Sequence, residues 1–452
     1  MGYSTFLIYS LGCRVNQAET EEISEELARA GFSPAEGKLP NLILINSCVV
    51  TQKAERETRK AIRHFRRLYP KSFLVVMGCG VDAKQKMKIN LPQANLLISN
   101  QEKPNAVNLI LQNLKTPRAV ARQRPRLLAP PAKPLATHGR GEQPTNAYFQ
   151  SGRALVKIQD GCDRFCTFCI VPYLRGKPKS KNPTKIVEEI KKLSNLEIKE
   201  IVLTGINLFL YGKDLRPKTN LVQLLKQILA ETKIERISLS SLTPEIITED
   251  FVNLYIDNWE RLSRYWHLAL QSGSPTVLQR MGRKTDLKKL LKTVQYIKQR
   301  IPEFAIRADI LVGFPQETEK ELNETLQYIK EAKISFAHVF PFSKRPKTPA
   351  QKLIDKKIWH DLPEKTKKKR VKRIMAAAEE IRRMEAEKLI GKILPCLFIK
   401  TLKAGVWETL ADNSWKVLVK DDDQQIKPGQ IRKIKITGEA DQALSGRLSP
   451  EG

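Results

Sequence analysis

The densest group of metal-binding side chains in the sequence is Cys162, Cys166 and Cys169, here called the central trio, spaced as Cys-x-x-x-Cys-x-x-Cys. Thiolates at such spacing bind zinc or iron–sulfur clusters. A closed structural zinc site normally takes four ligands, and no fourth Cys or His lies nearby in the sequence. Three thiolates on a four-iron cluster leave one iron open to a substrate, whereas clusters that only transfer electrons usually have thiolates on all four irons. The spacing therefore favours a 4Fe-4S cluster with an open iron.

A second group, Cys13, Cys48 and Cys79, here called the N-terminal trio, is spread at intervals of 35 and 31 residues. Each of these cysteines directly follows an apolar run typical of a strand. Because the carboxyl ends of parallel strands share one edge of a sheet, where ligands bind, the three thiols are expected to meet there. Ordinary buried cysteines are the alternative, but three at equivalent positions favour a second cluster. Cys396 lies inside a predicted strand and is interpreted as a packed apolar residue.

The elements that must position these cysteines follow from the pattern of apolar residues. Residues 1–115 alternate short apolar runs with helical segments, which predicts an N-terminal flavodoxin-like βα domain. Residues 116–147 are rich in Pro, Gly and Arg and are interpreted as a linker. Residues 148–385 contain six strand candidates separated by helices, which predicts a partial TIM-like (βα)6 barrel. Residues 386–452 predict a small C-terminal all-β barrel, so the fold class is α/β. We expect deletion of the tail from Gly391 to leave the cysteine-bearing regions intact.

The chain is strongly basic, with 79 Lys and Arg against 48 Asp and Glu and a net charge of +31. This charge favours a polyanionic partner, although by itself it does not separate RNA from DNA or an anionic membrane. Two basic segments, Lys53–Lys71 and Lys365–Arg373, could contact phosphates, with solvated helix faces as the alternative. Trp407 and Trp415 could stack on bases but are more often core residues in a small barrel.

Two further features bear on the compartment. The apolar run Phe6–Gly12 is too short for a membrane span or a signal peptide. Seven cysteines cannot all pair in disulfides, and clustered cysteines in a reducing compartment are better interpreted as metal ligands. We therefore expect a cytoplasmic protein.

Several segments of the sequence resemble a known enzyme family. DGCDRFCTFCIVPYLRG resembles the signature of radical S-adenosylmethionine (SAM) enzymes, and LGCRVNQAE, NSCVVTQKAERETR and VVMGC are similar to the cluster-binding domain of the methylthiotransferases. SSLTPE, HLALQSGS, ADILVGFPQET and HVFPFSKRPKTPA extend the resemblance over nearly the whole chain. The basic tail is similar to the TRAM domain, an RNA-binding barrel. Within the family, LGCRVNQ resembles the branch that acts on N6-threonylcarbamoyladenosine at position 37 of tRNA.

The resemblance implies an enzyme that adds a methylthio group to C2 of that nucleoside, with two 4Fe-4S clusters and two SAM molecules per turnover. Reductive cleavage of SAM would give a deoxyadenosyl radical able to take hydrogen from C2 of adenine, so no catalytic Ser, His or Glu is expected. The implied partners are the anticodon stem-loop of tRNA and an electron donor such as flavodoxin or ferredoxin, and neither DNA nor a membrane is expected. The implied metal ligands are Cys13, Cys48, Cys79, Cys162, Cys166 and Cys169. The implied SAM contacts are Phe168, Thr204, Gly205 and Gly313.

Other functions stay open on the sequence alone. The same chemistry could act on isopentenyladenosine in tRNA or on a ribosomal protein. A nonenzymatic metal-containing RNA-binding protein, in which both trios only brace the fold, is the alternative of another class. The colour of the purified protein distinguishes the two-cluster enzyme from a nonenzymatic zinc protein. Two clusters would give a brown protein with about eight irons, whereas a zinc protein is colourless.

Overall fold

The computed structural model describes residues 5–35, 37–115, 151–403, 405–421, 426–440 and 442–449. The predicted linker, residues 116–147, lies outside the described residues, and the predicted domain boundaries stay predictions. The contacts divide the chain into two compact units. The first is built on the N-terminal region together with Ile170–Gly176 and Arg345–Lys347, and the second holds the rest of the chain.

A five-stranded parallel sheet is the centre of the first unit. Its strands are β1 (Thr5–Ser10), β2 (Ser33–Pro34), β3 (Leu42–Ser47), β4 (Phe73–Gly78) and β5 (Leu96–Ile98). Their spatial order is β2-β1-β3-β4-β5, which is the flavodoxin-like order. The helices are α1 (Arg14–Arg29), α2 (Gln52–Leu68), α3 (Cys79–Met87) and α4 (Ala106–Lys115). The predicted βα fold of this region is confirmed.

The central strand of the sheet, β3, is buried along its whole length and begins with four apolar residues. Leu42 and Leu44 of β3 belong to one apolar core, whereas Ile43 and Ile45 belong to another. Successive side chains of a strand point to opposite faces, so helices must cover both sides of the sheet. Strand ends are therefore the places where a polar or metal-binding side chain can stand without disturbing a core.

Six parallel strands form the wall of the second unit, and they correspond to the six strand candidates. They are β6 (Arg153–Asp160), β8 (Glu200–Gly205), β9 (Arg236–Leu239), β10 (Tyr265–Gln271), β11 (Ala305–Val312) and β12 (Ile334–Pro341). The first three pair in one sheet, with the short antiparallel β7 (Lys179–Ser180) at its edge, and the last three pair in another. Parallel bridges from Ile237 to Leu262 and from Leu242 to Leu268 connect the two sheets. The predicted partial barrel is confirmed.

Helices alternate with these strands as the sequence pattern predicts. They are α5 (Val171–Arg175, part of the first unit), α6 (Pro183–Asn195), α7 (Leu221–Glu231), α8 (Glu249–Asp257), α9 (Pro275–Arg280), α10 (Leu287–Arg300), α11 (Glu319–Glu331), α12 (Pro349–Asp355) and α13 (Glu364–Glu387). Short 3-10 turns span Lys103–Asn105, Leu208–Leu210 and Pro244–Ile246. Across the part of the chain that the structure describes, no helix has both the length and the apolar character needed to cross a bilayer.

The tail folds into a closed five-stranded barrel. Its strands are β13 (Ile393–Lys403), β14 (Val406–Ala411), β15 (Lys416–Lys420), β16 (Ile431–Ala440) and β17 (Ala443–Leu448), in the order β13-β14-β15-β17-β16. Cys396, Trp407 and Trp415 belong to its apolar core, which confirms their interpretation as packed residues. The segments ILPCLFIK, GVWETLA, WKVLVK and IRKIKIT predict the first four of these strands from the sequence, whereas β17, which closes the barrel, is not predicted.

Buried arginines tie the tail barrel to the amino ends of the six-stranded wall. Arg264, just before β10, makes a two-pronged ion pair with Asp412, at 2.7 Å from Nε to Oδ2 and 2.9 Å from Nη2 to Oδ1. Arg236, at the start of β9, donates to the carbonyl oxygens of Pro395 at 2.9 Å and Leu410 at 3.1 Å. Deleting the tail would remove these acceptors and expose both guanidinium groups to solvent at the amino ends of β9 and β10. The expectation that the cysteine-bearing regions stay intact without the tail remains a prediction.

We expect Asp412→Ala to destabilise the protein by about 3–5 kcal/mol, because removing one partner of a buried ion pair leaves an uncompensated charge. Anaerobic urea unfolding of the full chain measures this loss. Lys416→Ala is the matched control in the same barrel, since its pair with Glu408 leaves the Lys416 side chain 51% exposed and should contribute only about 0–1 kcal/mol. Equal losses in the two variants would contradict a structural role for the buried pair.

Candidate cluster and cofactor site

The N-terminal trio stands at three strand ends, as predicted. Cys13 is the N-cap of α1, Cys48 directly follows β3, and Cys79 directly follows β4 as the first residue of α3. Since β1, β3 and β4 are adjacent and parallel, their carboxyl ends lie along one edge of the sheet. The fold therefore brings together three residues that are far apart in sequence.

The thiols of this trio are close enough to influence one another. Burial, together with the charges of Cys79 and Cys13, raises the pKa of the Cys48 thiol to about 12. A Cβ atom at Gly12, whose φ is +96°, would lie 2.7 Å from Cys48 Sγ, so only glycine fits beside this sulfur. A buried thiol of this kind is deprotonated when a metal coordinates it, and three free thiols are the donor set that an iron–sulfur cluster takes.

Polar side chains that the sequence pattern did not single out brace the loops of the N-terminal trio. Asn16 Nδ2 donates to the carbonyl oxygens of Leu11 at 2.7 Å and Ser47 at 3.1 Å, which fixes the loop before Cys13 against the end of β3. Arg175, with a side chain only 2% exposed, donates to Asn16 Oδ1 at 2.6 Å and to Glu19 Oε1 at 2.9 Å. The roles of Asn16 and Arg175 depend on contacts between residues distant in sequence, so residue type and spacing could not identify them.

The central trio follows β6 at the carboxyl end of the wall, where barrel enzymes place their active sites. Asn207 Nδ2 lies 3.8 Å from Cys162 Sγ and donates to it. The backbone N–H of Asn207 donates to Gln159 Oε1 at 2.8 Å, while Gln159 Nε2 donates to the carbonyl oxygen of Gly161 at 2.8 Å. Burial raises the pKa of Cys162, and the hydrogen bonds from Arg164 and Asn207 oppose that shift. Gln159 and Asn207 therefore hold the first cysteine in place, and sequence reasoning missed both.

Among the described residues, no three His, Cys, Asp or Glu side chains are grouped so that they could hold a metal ion. A four-iron cluster requires no such group, because each thiolate binds a different iron at a separate corner.

The four predicted SAM contacts lie in the second unit, at or near strand ends. Phe168 is partly buried against the main apolar core. Thr204, at the end of β8, is buried, and its hydroxyl has no hydrogen-bond partner among the described residues. Gly205 packs against Gln159, and Gly313, after β11, packs against Lys367. An unpartnered buried hydroxyl is a group that a bound ligand can satisfy.

Lys367 is not a phosphate contact, although it lies in the basic segment Lys365–Arg373. Its side chain is 2% exposed and pairs with Asp361 at 2.9 Å and Glu364 at 3.0 Å. Arg370, also buried, donates to Glu317 Oε2 at 2.6 Å. These two positions of α13 face the loop after β11. The interpretation of the whole segment as a phosphate-binding run is therefore wrong for its inward side.

Comparisons with known proteins agree with this architecture. The radical SAM superfamily model matches residues 156–329, and the model of an uncharacterized protein family, UPF0004, matches residues 5–99. The threonylcarbamoyladenosine tRNA methylthiotransferase MtaB of Bacillus subtilis is 31% identical over 441 residues, which cover 96% of this chain and 94% of that protein. The chain belongs to the tRNA methylthiotransferase family. It is therefore an enzyme, and the cofactors of its family are SAM and 4Fe-4S clusters.

Methylthiotransferases of two substrate types match this chain about equally well. The MtaB protein of Aquifex aeolicus is 33% identical over 393 residues, covering 86% of this chain and 92% of that protein. A tRNA-2-methylthio-N(6)-dimethylallyladenosine synthase of Clostridium botulinum strain Hall is 31% identical over 456 residues, covering 98% of this chain and 96% of that protein. Overall identity to these methylthiotransferases therefore does not select the nucleoside.

A solved structure of more distant sequence shares the fold. The radical SAM methyltransferase TsrM of Kitasatospora setae superposes with a TM-score of 0.53 at 15% identity, covering 79% of this methylthiotransferase chain and 76% of TsrM. At that identity the likeness concerns the arrangement of helices and strands alone.

We expect Gly313→Ala to destabilise this methylthiotransferase by about 1–3 kcal/mol more than Gly391→Ala, which is the cost of overpacking. A Cβ atom at Gly313 would lie 2.5 Å from Lys367 Cγ, whereas none of the surrounding atoms comes within 4 Å of one at Gly391. Both glycines have positive φ, +68° and +85°, so both variants carry the same kind of backbone strain. Anaerobic thermal unfolding compares them, and equal losses would mean that Lys367 moves aside freely.

Proposed function

We propose that this enzyme adds a methylthio group to C2 of N6-threonylcarbamoyladenosine at position 37, in the anticodon stem-loop of cytoplasmic tRNA. The observation that carries the proposal is the pair of cysteine trios, one at the carboxyl ends of three parallel strands of the first unit and the other just after the first strand of the second unit. The relatives named for this nucleoside, and the LGCRVNQ segment around Cys13, support the choice of substrate. Methylthiolation of the dimethylallyl-type nucleoside is the second candidate, which the Clostridium botulinum relative favours.

Each trio would hold one 4Fe-4S cluster, and two SAM molecules would be used per turnover. A cluster with an open iron, supplied with an electron by a flavodoxin- or ferredoxin-type donor, provides the reductive cleavage of SAM and the radical chemistry that side chains lack. The protein's own residues orient the ligands. Asn207 and Gln159 fix the Cys162 loop, Thr204 offers a buried hydroxyl beside it in the fold, and Arg370 holds the loop after β11 through Glu317.

Replacing any cysteine of the central trio by Ala should abolish SAM cleavage, because one ligand of the SAM-binding cluster is then missing. Deoxyadenosine formation by the anaerobically reconstituted protein is the measurement. Cys396→Ala is the matched control, since that thiol is buried in the tail barrel core, and it should retain full cleavage. Normal deoxyadenosine production by a central-trio variant would remove that cysteine from the ligand set.

Replacing any cysteine of the N-terminal trio by Ala should separate the two reactions. SAM cleavage should persist while methylthio product is lost, because only the cluster needed for sulfur transfer is removed. Mass spectrometry of nucleosides from the treated RNA, run beside deoxyadenosine quantitation and iron analysis, measures both. Iron content should fall by about half. Product formation at the wild-type rate would contradict the assignment of these cysteines.

One face of the tail barrel is suited to RNA phosphates. Lys435 of β16 lies directly opposite Arg447 of β17, and Lys433 stands two residues away on the same face. Like charges directly opposite in an antiparallel pair are destabilising, so a bound polyanion would relieve a repulsion that the free protein carries. Exposed Ile393, opposite Lys435 on β13, adds apolar surface to this face. We propose that this basic face, Lys433, Lys435 and Arg447, binds the tRNA backbone.

Replacing the three residues of the basic face together by Gln should flatten the log–log dependence of tRNA affinity on salt by about two units, at ~0.7 per phosphate contact. The same replacement at Lys288, Lys289 and Lys292, which are exposed on α10, is the control with equal loss of charge. The nucleoside modified should not change, since phosphate contacts position RNA without reading bases. If both triple variants showed the same salt dependence of tRNA affinity, the change would come from net charge and not from phosphate contacts by the basic face.

A further inference from the structure

A polar cluster that includes none of the cysteines lies on the wall of the second unit. Asp309 of β11 is at its centre. His267 Nε2 from β10 and His338 Nδ1 from β12 each lie 3.1 Å from Asp309 Oδ1. Ser241, just after β9, donates to Asp309 Oδ2 at 3.1 Å. Adjacent strands thus bring together four polar side chains that are distant in sequence.

The cluster stands on the face of the wall opposite the helices. Along β11, Ile306, Ala308 and Ile310 are buried in the apolar core, and strand alternation puts Asp309 on the other face. The His338 side chain is 75% exposed, whereas Asp309 and His267 are each 16% exposed. His338 is therefore the member of the cluster that an incoming molecule can touch.

Asp309 orients the imidazole of His338. Burial would raise the pKa of the Asp309 carboxyl, but its hydrogen bonds to His267 and His338 outweigh burial and hold the pKa below its usual range. An ionised carboxylate only accepts hydrogen bonds, so Nδ1 of His338 must carry the proton that it shares with Asp309. The remaining nitrogen, Nε2, is then presented away from the wall in a fixed direction. A carboxylate that fixes an imidazole in this way sets its tautomer and its direction.

The two candidate nucleosides differ in the chemistry that His338 would meet. A threonylcarbamoyl group carries a carboxylate, a hydroxyl and amide groups, whereas a dimethylallyl group is a hydrocarbon. With its proton on Nδ1, the His338 imidazole can accept a hydrogen bond at Nε2 from the hydroxyl or an amide N–H of the threonylcarbamoyl group, and its protonated form can donate a charge-assisted hydrogen bond to the carboxylate. Next to a hydrocarbon, the His338 imidazole would lose its hydrogen bonds to water without gaining another hydrogen-bond partner, which is unfavourable. A site built to hydrogen-bond a polar substituent rejects a substrate without one.

We propose that His338, oriented by Asp309, is a specificity-determining residue that hydrogen-bonds the carboxylate-bearing N6 substituent of the target adenosine. This assignment rests on the proposed function and deepens it, since it names the part of the substrate that the wall recognises. Asp309 is a positioning residue and His338 is the group that touches the substrate. The cysteine trios supply the chemistry in either case, so the cluster affects the choice of nucleoside and not the cleavage of SAM.

The test compares anticodon stem-loop RNAs that carry N6-threonylcarbamoyladenosine or N6-isopentenyladenosine. For the full-length reconstituted enzyme, His338→Gln should raise KM for the threonylcarbamoyl RNA about 10-fold to 100-fold, as for loss of a hydrogen bond to a charged group. Asp309→Asn should raise KM for the same RNA by a smaller factor. Activity on the isopentenyl RNA, deoxyadenosine formation and iron content should stay unchanged or nearly so. His360→Gln, at another exposed histidine, is the control and should leave KM for both RNAs unchanged.

The outcomes separate this proposal from the proposed function. Equal loss on both RNAs, or an unchanged KM in His338→Gln while the wild type modifies the threonylcarbamoyl RNA, overturns the specificity role alone. A wild-type enzyme that modifies the isopentenyl RNA and not the threonylcarbamoyl RNA overturns the proposed function, and this assignment with it. Because His338 is exposed, its replacement tests recognition even if Asp309→Asn fails to fold.

Discussion

The geometry of parallel strands is the constraint on which the rest of this structure depends. Strands that run in the same direction end at the same edge, so side chains just beyond those ends meet although they are far apart in sequence. Cys48 and Cys79 follow neighbouring strands of the first unit, and Cys162 follows the first strand of the second unit. In the first unit, helices and apolar cores cover both faces of the sheet, which leaves the strand ends as the place for its metal-binding side chains.

Burial at those ends has an electrostatic consequence. The pKa of Cys48 is raised to about 12 by burial and by its neighbouring cysteines, so the thiol is neutral unless a cation lies beside it. Iron would supply that cation, and several thiolates on one cluster share its charge. The same burial that disfavours a free Cys48 thiolate makes this position better suited to a metal centre than to the chemistry of a solvent-exposed thiol.

The strands and the candidate cluster ligands could be predicted from the sequence, because short segments of sequence are enough to identify them. Apolar runs that end in cysteine or glycine identified the strands, and residue type with spacing identified the six cysteines. The contacts of Asn16, Arg175 and Asn207 could not be predicted, because ordinary polar residues acquire such roles only through tertiary neighbours. Strand β17 was missed since its ALSGRL segment is short and only weakly alternating.

The interpretation of Lys367 as a phosphate contact was wrong for a different reason, because the sequence did contain a signal for its burial. The buried positions of α13 include Lys367, Arg370, Ile374, Ala377 and Ile381, spaced three or four apart as one face of a helix requires. Extending the apolar stripe backwards by its period would have placed Lys367 and Arg370 inward, whatever their charge. Composition identified a basic run, whereas periodicity separates its inward side from its exposed side.

The tail barrel would combine its structural role with the RNA-binding role proposed for it in one small element. Its inner side accepts hydrogen bonds from Arg236 and Arg264 at the amino ends of β9 and β10, while its basic face pairs Lys435 with Arg447 on adjacent strands. Buried ion pairs contribute little net stability but are strongly unfavourable to break, so they fix the orientation of the barrel on the wall. A fixed orientation lets phosphate contacts, which read no bases, determine where the RNA lies. The choice of nucleoside can then be made by the polar groups of the wall, and affinity and specificity depend on different residues of the same unit.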